Sequence, residues 1–422
     1  MGIGRGCHMR ANIISIWTGR AGRILKAVLV MLLAFDLCLP ARATQVMVVS
    51  DLHYMARELY EGSELFLRAL RAGDGKITQY GDALMAALCE EVVRQRPDAL
   101  LVTGDLAFNG EKASHEALAR WFARIEASDI PVWVMPGNHD INVSTARRFD
   151  GDGWEYTQTV SPEEFREIYR DYMSPEADGA AANLSYVAKV SDRLWVAMTD
   201  AAFYQGEAQA FGLFTADHAA WLERVMREAG DAELITASHH SLLPHTEFSR
   251  DSYVMLGNET MLALDRAYGV RLHLSGHLHV QHIVSRDGVM DAALGAFCTW
   301  PHRYALVTLR EDGSLEYEAK SLDGALLPGG FLQMSKAWFS DIAKAKARAS
   351  LPEGTENIEM LADYAARFNL AYFAGTYLSD DPSWREDPAY ALWQRQADNP
   401  FWQYMRLVMD EPNADNLHRK IP

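Results

Sequence analysis

Aspartate, asparagine and histidine side chains fall in five short segments, each of which follows a run of residues typical of a β-strand. These residue types can bind metal ions and transfer protons. Side chains of an extended segment repeat their direction every two residues, so a D-x-H or an H-x-H pair can grip one cation or two adjacent ones. The five segments are Asp51-Leu52-His53, Gly104-Asp105, Gly137-Asn138-His139-Asp140, His239-His240 and Gly276-His277-Leu278-His279.

The mixture of imidazole and carboxylate predicts two divalent metal ions as cofactors, with manganese, iron or zinc favoured over magnesium or calcium, which prefer oxygen ligands alone. A carboxylate such as Asp105 can bridge two ions, and the amide oxygen of Asn138 can add a neutral ligand. Such a pair of ions clamps a phosphoryl group and lowers the pKa of bound water, so that a hydroxide attacks phosphorus in line. His139 can then protonate the departing alkoxide.

The elements that must position these segments alternate between strands and helices. Residues 46–49, 99–102 and 131–135 have the composition of strands, and residues 80–96 have apolar side chains at helical spacing. A second helix is predicted over 114–128, with Ser114 as its N-cap and His115 on a solvated polar face. Alternation of this kind favours an α/β domain with an inner parallel sheet.

Later segments are typical of antiparallel hairpins, one over 184–199 and another over 304–319. The fold class that fits is a mixed two-sheet β-sandwich flanked by helices, over residues 44–325. Residues 326–422 are predicted to form a C-terminal helical region whose aromatic residues, including Tyr404, serve packing. The polar insertions over 54–76 and 141–161 directly follow motif residues, and we expect them to shape the mouth of a pocket.

The N-terminus has the pattern of a secretory signal. Basic residues Arg20, Arg23 and Lys26 precede an apolar run over 27–39, and Ala41-Arg42-Ala43 follows as a cleavage site. Residues 1–43 are therefore predicted to be a signal peptide that exports the protein to the periplasm or the exterior. An uncleaved leader that anchors the protein in the membrane is the alternative; the apolar run is too short to favour a permanent span.

The charge balance argues against a nucleic-acid partner. The full chain has a net charge of −17, and without residues 1–43 it has 34 basic and 56 acidic side chains, or −22. Such a surface repels a phosphate backbone at long range. A small-molecule or lipid-like phosphate ester remains compatible, because metal charge dominates at contact distance. The oligomeric state is not indicated by the sequence.

In their order along the chain, the motifs D-x-H, G-D, G-N-H-D, H-H and G-H-x-H resemble the calcineurin-like metallophosphoesterase superfamily, over residues 46–307. The resemblance implies that Asp51, His53 and His279 hold one metal ion, with Asp105 as the bridge. It also implies a second ion on Asn138, His239 and His277.

By the same resemblance, His139 contacts the phosphate and serves as the acid, oriented by Asp140. Relatives often have H-H-P or H-x-P where this chain has His239-His240-Ser241. His239 is the ligand that this alignment favours, with His240 on the substrate side or behind the ligands.

One departure from the family pattern bears on the substrate. Protein phosphatases of the family have Asp-Arg-Gly shortly after G-D, whereas this chain continues Leu106-Ala107-Phe108-Asn109 without an arginine. This resembles the bacterial phosphodiesterase-like branch and predicts a metal-dependent phosphodiesterase. A phosphomonoesterase with the same centre and a non-catalytic binding protein on this fold remain the alternatives.

Overall fold

The aliphatic runs of the sequence become strands in the computed structural model, which describes residues 43–174, 183–206, 208–250, 253–412 and 414–422. Residues 1–42 of the predicted leader lie outside the described residues. In chain order the strands are β1 (Thr44–Val49), β2 (Ala99–Thr103), β3 (Val132–Met135), β4 (Arg147–Asp150), β5 (Gly153–Tyr156), β6 (Tyr186–Lys189), β7 (Leu194–Thr199), β8 (Glu233–Ser238), β9 (Leu272–Ser275), β10 (His282–Arg286), β11 (Val289–Ala293), β12 (Arg303–Leu309), β13 (Leu315–Ser321) and β14 (His418–Ile421).

Helices connect these strands and dominate the chain after β13. Among the described helices, none is both long enough and apolar enough to cross a bilayer. The helices are α1 (Glu64–Ala72), α2 (Gly81–Gln95), α3 (Lys112–Glu126), α4 (Pro162–Ile168), α5 (Ala216–Ala229), α6 (Asn258–Tyr268), α7 (Phe331–Ser350), α8 (Ile358–Phe373), α9 (Ser383–Glu386), α10 (Pro388–Gln394) and α11 (Pro400–Met409).

Two six-stranded mixed sheets form the body of the fold, in the orders β14-β13-β12-β1-β2-β3 and β10-β11-β9-β8-β7-β6. β1, β2 and β3 run parallel to one another, as do β7, β8, β9 and β11, and the remaining pairs of the two sheets are antiparallel. Side chains of both sheets, such as Val48 and Ile235, meet in one buried core. The predicted mixed two-sheet sandwich with helices is therefore confirmed.

The five motifs all follow parallel strands at their carboxyl ends. Three of them come after β1, β2 and β3, and the other two come after β8 and β9. Carboxyl ends of parallel strands meet at one edge of a sheet, so each sheet delivers its reactive residues to a single edge.

The helix after β2 differs from its prediction. α3 begins at Lys112, so Ser114 lies inside the helix, where its Oγ accepts a hydrogen bond from the backbone N–H of Ala56 (3.1 Å). His115 is buried and not solvated: its Nδ1 lies 2.9 Å from the Tyr169 hydroxyl and its Nε2 lies 3.1 Å from the Asp140 carbonyl oxygen. Helical spacing alone predicted the wrong environment for His115, because Phe165 and Tyr169, from a later segment of the chain, cover this face of α3.

The C-terminal helices share contacts with the sandwich, and Thr44–Pro422 form one compact unit. Phe331 at the start of α7 belongs to the main core. The chain then returns to the first sheet as β14. Just before this strand, buried Asn416 accepts the Ile283 backbone N–H through Oδ1 and the Gln281 side-chain N–H through its carbonyl oxygen (both 2.9 Å). The proposed boundary at residue 326 stays a prediction.

A buried hydrogen-bond network joins the strands that lead to His239 and His277. The Thr236 hydroxyl in β8 donates to the Asp265 carboxyl group of α6 (3.2 Å) and lies 2.9 Å from His273 Nδ1 in β9, and Ser238 Oγ lies 3.0 Å from His273 Nε2. Burial raises the pKa of Asp265 to about 8 and lowers that of His273 to about 4. Burial therefore favours the uncharged forms of both groups at neutral pH.

Replacing Asn416 tests the attachment of the C-terminal region. Asn416→Ala removes the acceptor of a buried N–H, and we expect the free energy of unfolding to fall by about 1–3 kcal/mol. Urea unfolding followed by circular dichroism measures this change. Lys420→Ala, at an exposed position of the adjoining strand β14, is the control and should change stability by less than about 0.5 kcal/mol. Equal effects of the two substitutions would contradict the attachment.

Replacing Asp265 tests the buried carboxyl group. Because its folded pKa is raised above the unfolded value, its contribution is complete at low pH and is lost as pH rises through about 8. The stability of Asp265→Asn minus that of the wild type should therefore increase between pH 5 and pH 8, by at most about 1.4 kcal/mol per pH unit. Urea unfolding across this range measures it, with Asp231→Asn on an exposed turn as control. A difference that stays constant with pH would refute the burial argument.

Candidate metal centre

Five residues of the motif loops have left-handed backbone conformations that non-glycine residues seldom adopt: Asp51 (φ 56°), His53 (φ 39°), Asp105 (φ 50°), His277 (φ 64°) and His279 (φ 60°). Each such conformation costs free energy and persists only where the surrounding structure fixes it. Their concentration at the ends of β1, β2 and β9 marks this edge as a site under functional constraint.

Two motif glycines permit the loops to approach one another. A Cβ atom on Gly137 would collide with the carboxylate and the backbone nitrogen of Asp105, and one on Gly276 would collide with Ser50 and the Asp51 carboxylate. A side chain at either position would therefore separate the loops. These glycines are required by close packing around the two aspartates.

The first group of converging side chains is Asp51, His53, Asp105 and His279, whose ligand atoms all lie within 4.8 Å of one another. The Nε2 atoms of His53 and His279 are 3.1 Å apart. Asp51 Oδ1 is 3.2 Å from His279 Nε2, and Asp105 Oδ2 is 3.4 Å from His53 Nε2. The structure thus brings together the four residues predicted to share the first metal ion.

The second group is Asp105, His239 and His277. His239 Nε2 lies 3.3 Å from Asp105 Oδ1 and 3.2 Å from Asn138 Oδ1, so the predicted amide ligand faces the same point. The Nδ1 atom of His239 lies 2.9 Å from the Thr103 carbonyl oxygen, which orients the ring. Asp105 belongs to both groups, with one carboxylate oxygen toward each.

The donor chemistry of the first group fits a cation. Two imidazole nitrogens and two carboxylates converge there, so positive charge at their meeting point is favoured. Burial opposes protonation of His279, yet the Asp51 and Asp74 carboxylates outweigh it and raise the pKa of His279 to about 9. Burial lowers the pKa of His53 and of His277 well below the ordinary value, which leaves neutral rings that can act as ligands. Mixed nitrogen and oxygen donors suit zinc, iron or manganese.

Asp140 acts on its neighbour through the backbone. Its carboxylate accepts hydrogen bonds from the N–H groups of Gly137 (2.7 Å), Ala107 (2.9 Å) and Leu106 (3.2 Å), and so ties the G-N-H-D loop to the G-D loop. The orientation of His139 by Asp140 stays a prediction, and these contacts show that it would act through the loop that carries His139. Three backbone donors already occupy this buried carboxylate, and the ring has other partners.

Those partners are the Phe108 carbonyl oxygen (3.1 Å) and Asn109 Oδ1 (3.0 Å), both next to His139 Nδ1. The His139 backbone N–H donates to Asp105 Oδ1 (2.9 Å). Because a carbonyl oxygen can only accept, Nδ1 carries a proton and Nε2 is the remaining nitrogen. Asn109 was not predicted as a site residue, although it stands where the sequence departs from the arginine-containing pattern.

His240 packs behind the ligands. It is buried, its ring centroid lies 4.5 Å from that of His277, and its Nε2 lies 3.2 Å from the Ala210 carbonyl oxygen. Of the two roles predicted for His240, the position behind His277 matches this placement.

Asp74 and Lys76 are two further polar residues at the centre that the motifs did not indicate. Asp74 Oδ2 lies 2.9 Å from His279 Nδ1 and 3.2 Å from Lys76 Nζ. A carboxylate that accepts from the outer nitrogen of a metal-binding histidine fixes its tautomer and raises its basicity. Both residues come from the 54–76 insertion, so this insertion reaches the cavity as predicted, whereas residues 141–161 are not among those that line it.

A cavity of about 370 Å³ opens on the two groups. Its walls come from the motif loops, from the loop between β8 and α6, and from the C-terminal helices α7, α8 and α11. Tyr404 was predicted to serve packing only, but it lines this cavity. The lining residues are Asp74, Lys76, Asp105, His139, Thr246, Phe248, Tyr253, His277, Leu278, His279, Val280, Lys346, Asn369, Tyr372, Phe373, Phe401 and Tyr404.

Among solved structures the chain is similar to several phosphatases at low identity. A dimetal phosphatase from Danio rerio is 15% identical, with 66% of this chain and 96% of that chain covered and a TM-score of 0.48. A purple acid phosphatase from yellow lupin seeds is 14% identical, with coverages of 66% and 52% and a TM-score of 0.43. A putative 5′-nucleotidase from Staphylococcus aureus is 16% identical, with coverages of 71% and 58% and a TM-score of 0.41.

No curated protein matches the sequence. Two family profiles do. Residues 320–415 match the profile described as the C-terminal domain of cyclic nucleotide phosphodiesterase. Residues 44–281, more than half of the chain, match the profile described as calcineurin-like phosphoesterase, and the chain therefore belongs to the calcineurin-like phosphoesterase family.

Proposed function

We propose that this protein is a metal-dependent phosphodiesterase that hydrolyses a small organic phosphodiester. The observation that carries the proposal is the cavity in which the two ligand groups face a wall of aromatic side chains from the C-terminal region. A phosphodiester has two organic groups on its phosphorus atom. When the phosphate lies at the metal centre, the aromatic wall offers a surface that one of these organic groups can contact. Cyclic nucleotides are the first candidates, because the C-terminal region matches a profile named for their phosphodiesterases.

The cations that line the cavity support a phosphodiester rather than a phosphomonoester as the substrate. Among the described residues that line the cavity, the fixed cations are Lys76 and Lys346, with no arginine. A monoester carries more negative charge than a diester at neutral pH, and bidentate arginine contacts suit it well. The phosphomonoesterase alternative uses the same centre and is separated by the substrate comparison below.

Asp51, His53, Asp105 and His279 would hold one divalent ion, and Asp105, Asn138, His239 and His277 would hold the second. When bound, these ions supply Lewis-acid activation of water and charge neutralisation at the phosphoryl group. The reaction adds water across one P–O ester bond: a new P–O bond forms, the ester bond breaks, and the departing oxygen takes a proton.

His139 is the residue that we assign to that proton. The acceptors at its Nδ1 hold the ring in place, so a protonated ring presents its second N–H at Nε2. Burial lowers the pKa of His139, which makes the protonated ring a stronger acid. The Asp140 carboxylate keeps the loop that holds this ring in its place.

We also propose that the protein is exported, on the pattern of residues 20–43 alone. The N-terminal residue of the mature protein tests this proposal: Thr44 supports cleavage after Ala43, and an intact N-terminus in a membrane fraction supports the anchored alternative.

The substrate preference is tested with bis(p-nitrophenyl) phosphate beside p-nitrophenyl phosphate, on protein loaded with manganese, zinc or iron. We expect higher kcat/KM on the diester, and a loss of at least about 100-fold in Asn138→Ala, since a donor atom of the second group is removed. Gln403→Ala, an exposed amide on α11, is the matched control and should retain activity. Preference for the monoester, or metal-independent turnover, would overturn the proposal.

The acid role of His139 is tested by the leaving group. His139→Ala should lose about 10²–10⁴-fold in kcat/KM on a diester with an alkoxide leaving group, which needs a proton. On bis(p-nitrophenyl) phosphate, whose leaving group is stable without a proton, the loss should be less than about tenfold. His418→Ala, an exposed histidine of β14, is the control. Equal losses on both substrates would rule out proton donation by His139.

A further inference from the structure

Lys76 places a largely buried ammonium group beside the candidate metal centre. Its side chain is only 16% exposed, and it lines the same cavity as Asp105, His139 and His279. Burying a charged group costs free energy unless partners compensate for the lost water. The structure therefore keeps a positive charge at the wall of this cavity. The partners of the ammonium group indicate which ligand this charge can bind.

The protein satisfies only part of the hydrogen-bonding capacity of Lys76. An ammonium group has three N–H donors. Among the described residues, Nζ has one carboxylate partner, Asp74 Oδ2 at 3.2 Å. That same oxygen also lies 2.9 Å from His279 Nδ1, so Asp74 is shared between two donors. Two N–H groups of Lys76 thus remain for a molecule in the cavity.

The backbone at Lys76 is held by contacts with α7 and with the loop between β11 and β12. Trp338 of α7 donates its indole N–H to the Lys76 carbonyl oxygen (3.1 Å), and the Ile77 N–H donates to the Cys298 carbonyl oxygen (3.0 Å). Gly75 has φ 99°, and a Cβ atom there would lie 2.5 Å from the Phe339 ring. The ammonium group is therefore presented from a fixed segment, as electrostatic stabilisation of a reaction requires.

Resting on the proposed function, we propose that Lys76 binds a non-bridging oxygen of the substrate phosphate through Nζ. Negative charge on these oxygens must be matched in the transition state. Lys76 supplies one positive charge from the 54–76 insertion. In the protein-phosphatase pattern, by contrast, an arginine in the loop after G-D carries this charge. The insertion and α7 together hold this charge at the candidate metal centre.

The test compares Lys76→Met, which keeps the stem without the charge, with Lys76→Arg, which keeps the charge. Lys344→Met is the matched control, because Lys344 lies on α7 and pairs with Asp363 outside the cavity. Four quantities are measured on metal-loaded protein: metal content per chain, kcat and KM on bis(p-nitrophenyl) phosphate, and the affinity for inorganic phosphate by calorimetry.

For Lys76→Met we expect unchanged metal content, a loss of about 10²–10³-fold in kcat/KM, and phosphate binding weakened at least about tenfold. Lys76→Arg should recover part of both, and Lys344→Met should match the wild type. Unchanged kcat/KM and phosphate affinity in Lys76→Met would overturn the proposal. Loss of metal in parallel with activity would also overturn it, because Lys76 would then serve only the Asp74–His279 contact.

Two further measurements keep the outcomes separate. If Lys76→Met does not fold, Lys76→Gln is measured in the same way, with folding checked by circular dichroism. The phosphate affinity does not depend on which ester is cleaved. A wild type that cleaves only monoesters would overturn the proposed function, while weaker phosphate binding in Lys76→Met would still support the role of Lys76.

Discussion

The rest of the candidate centre depends on the contacts that the Asp105 carboxylate makes with both sheets. It comes from the first sheet, and one of its oxygens faces His53 from the same sheet while the other faces His239 from the second sheet. It also accepts the His139 backbone N–H, and its own backbone carbonyl accepts that of His53. A single side chain thus fixes the distance between the sheets at the edge where the chemistry takes place, and its left-handed backbone shows the cost of placing it there.

The sequence was sufficient to predict the residues that converge, because each motif is local and follows a strand with a clear aliphatic pattern. The two sheets and α2 were predictable for the same reason. The environment of His115 was not, because Phe165 and Tyr169 reach it from a separate segment. Asp74 and Lys76 were placed only as part of an insertion, since their contacts with His279 and Trp338 join distant parts of the chain and leave no periodic signal.

The C-terminal region contributes both to the cavity and to the first sheet. It supplies a wall of the cavity through α7, α8 and α11, and it completes the first sheet through β14. The same region holds the segment of Lys76. Changes that loosen its packing will therefore alter the shape of the cavity as well as the stability of the fold, and the two effects are separated only by measuring both.

The pairing of β14 with β13 also sets an order of events during synthesis. Leu315 pairs with Ile421, so β13 cannot complete this edge of the first sheet until more than a hundred further residues have been synthesised. Such long-range pairing is slow to form, and until it does β13 presents an unpaired edge to other chains. A nascent chain of this protein is thus exposed to aggregation until β14 has been synthesised and paired. Chaperones that shield strand edges would act in that interval.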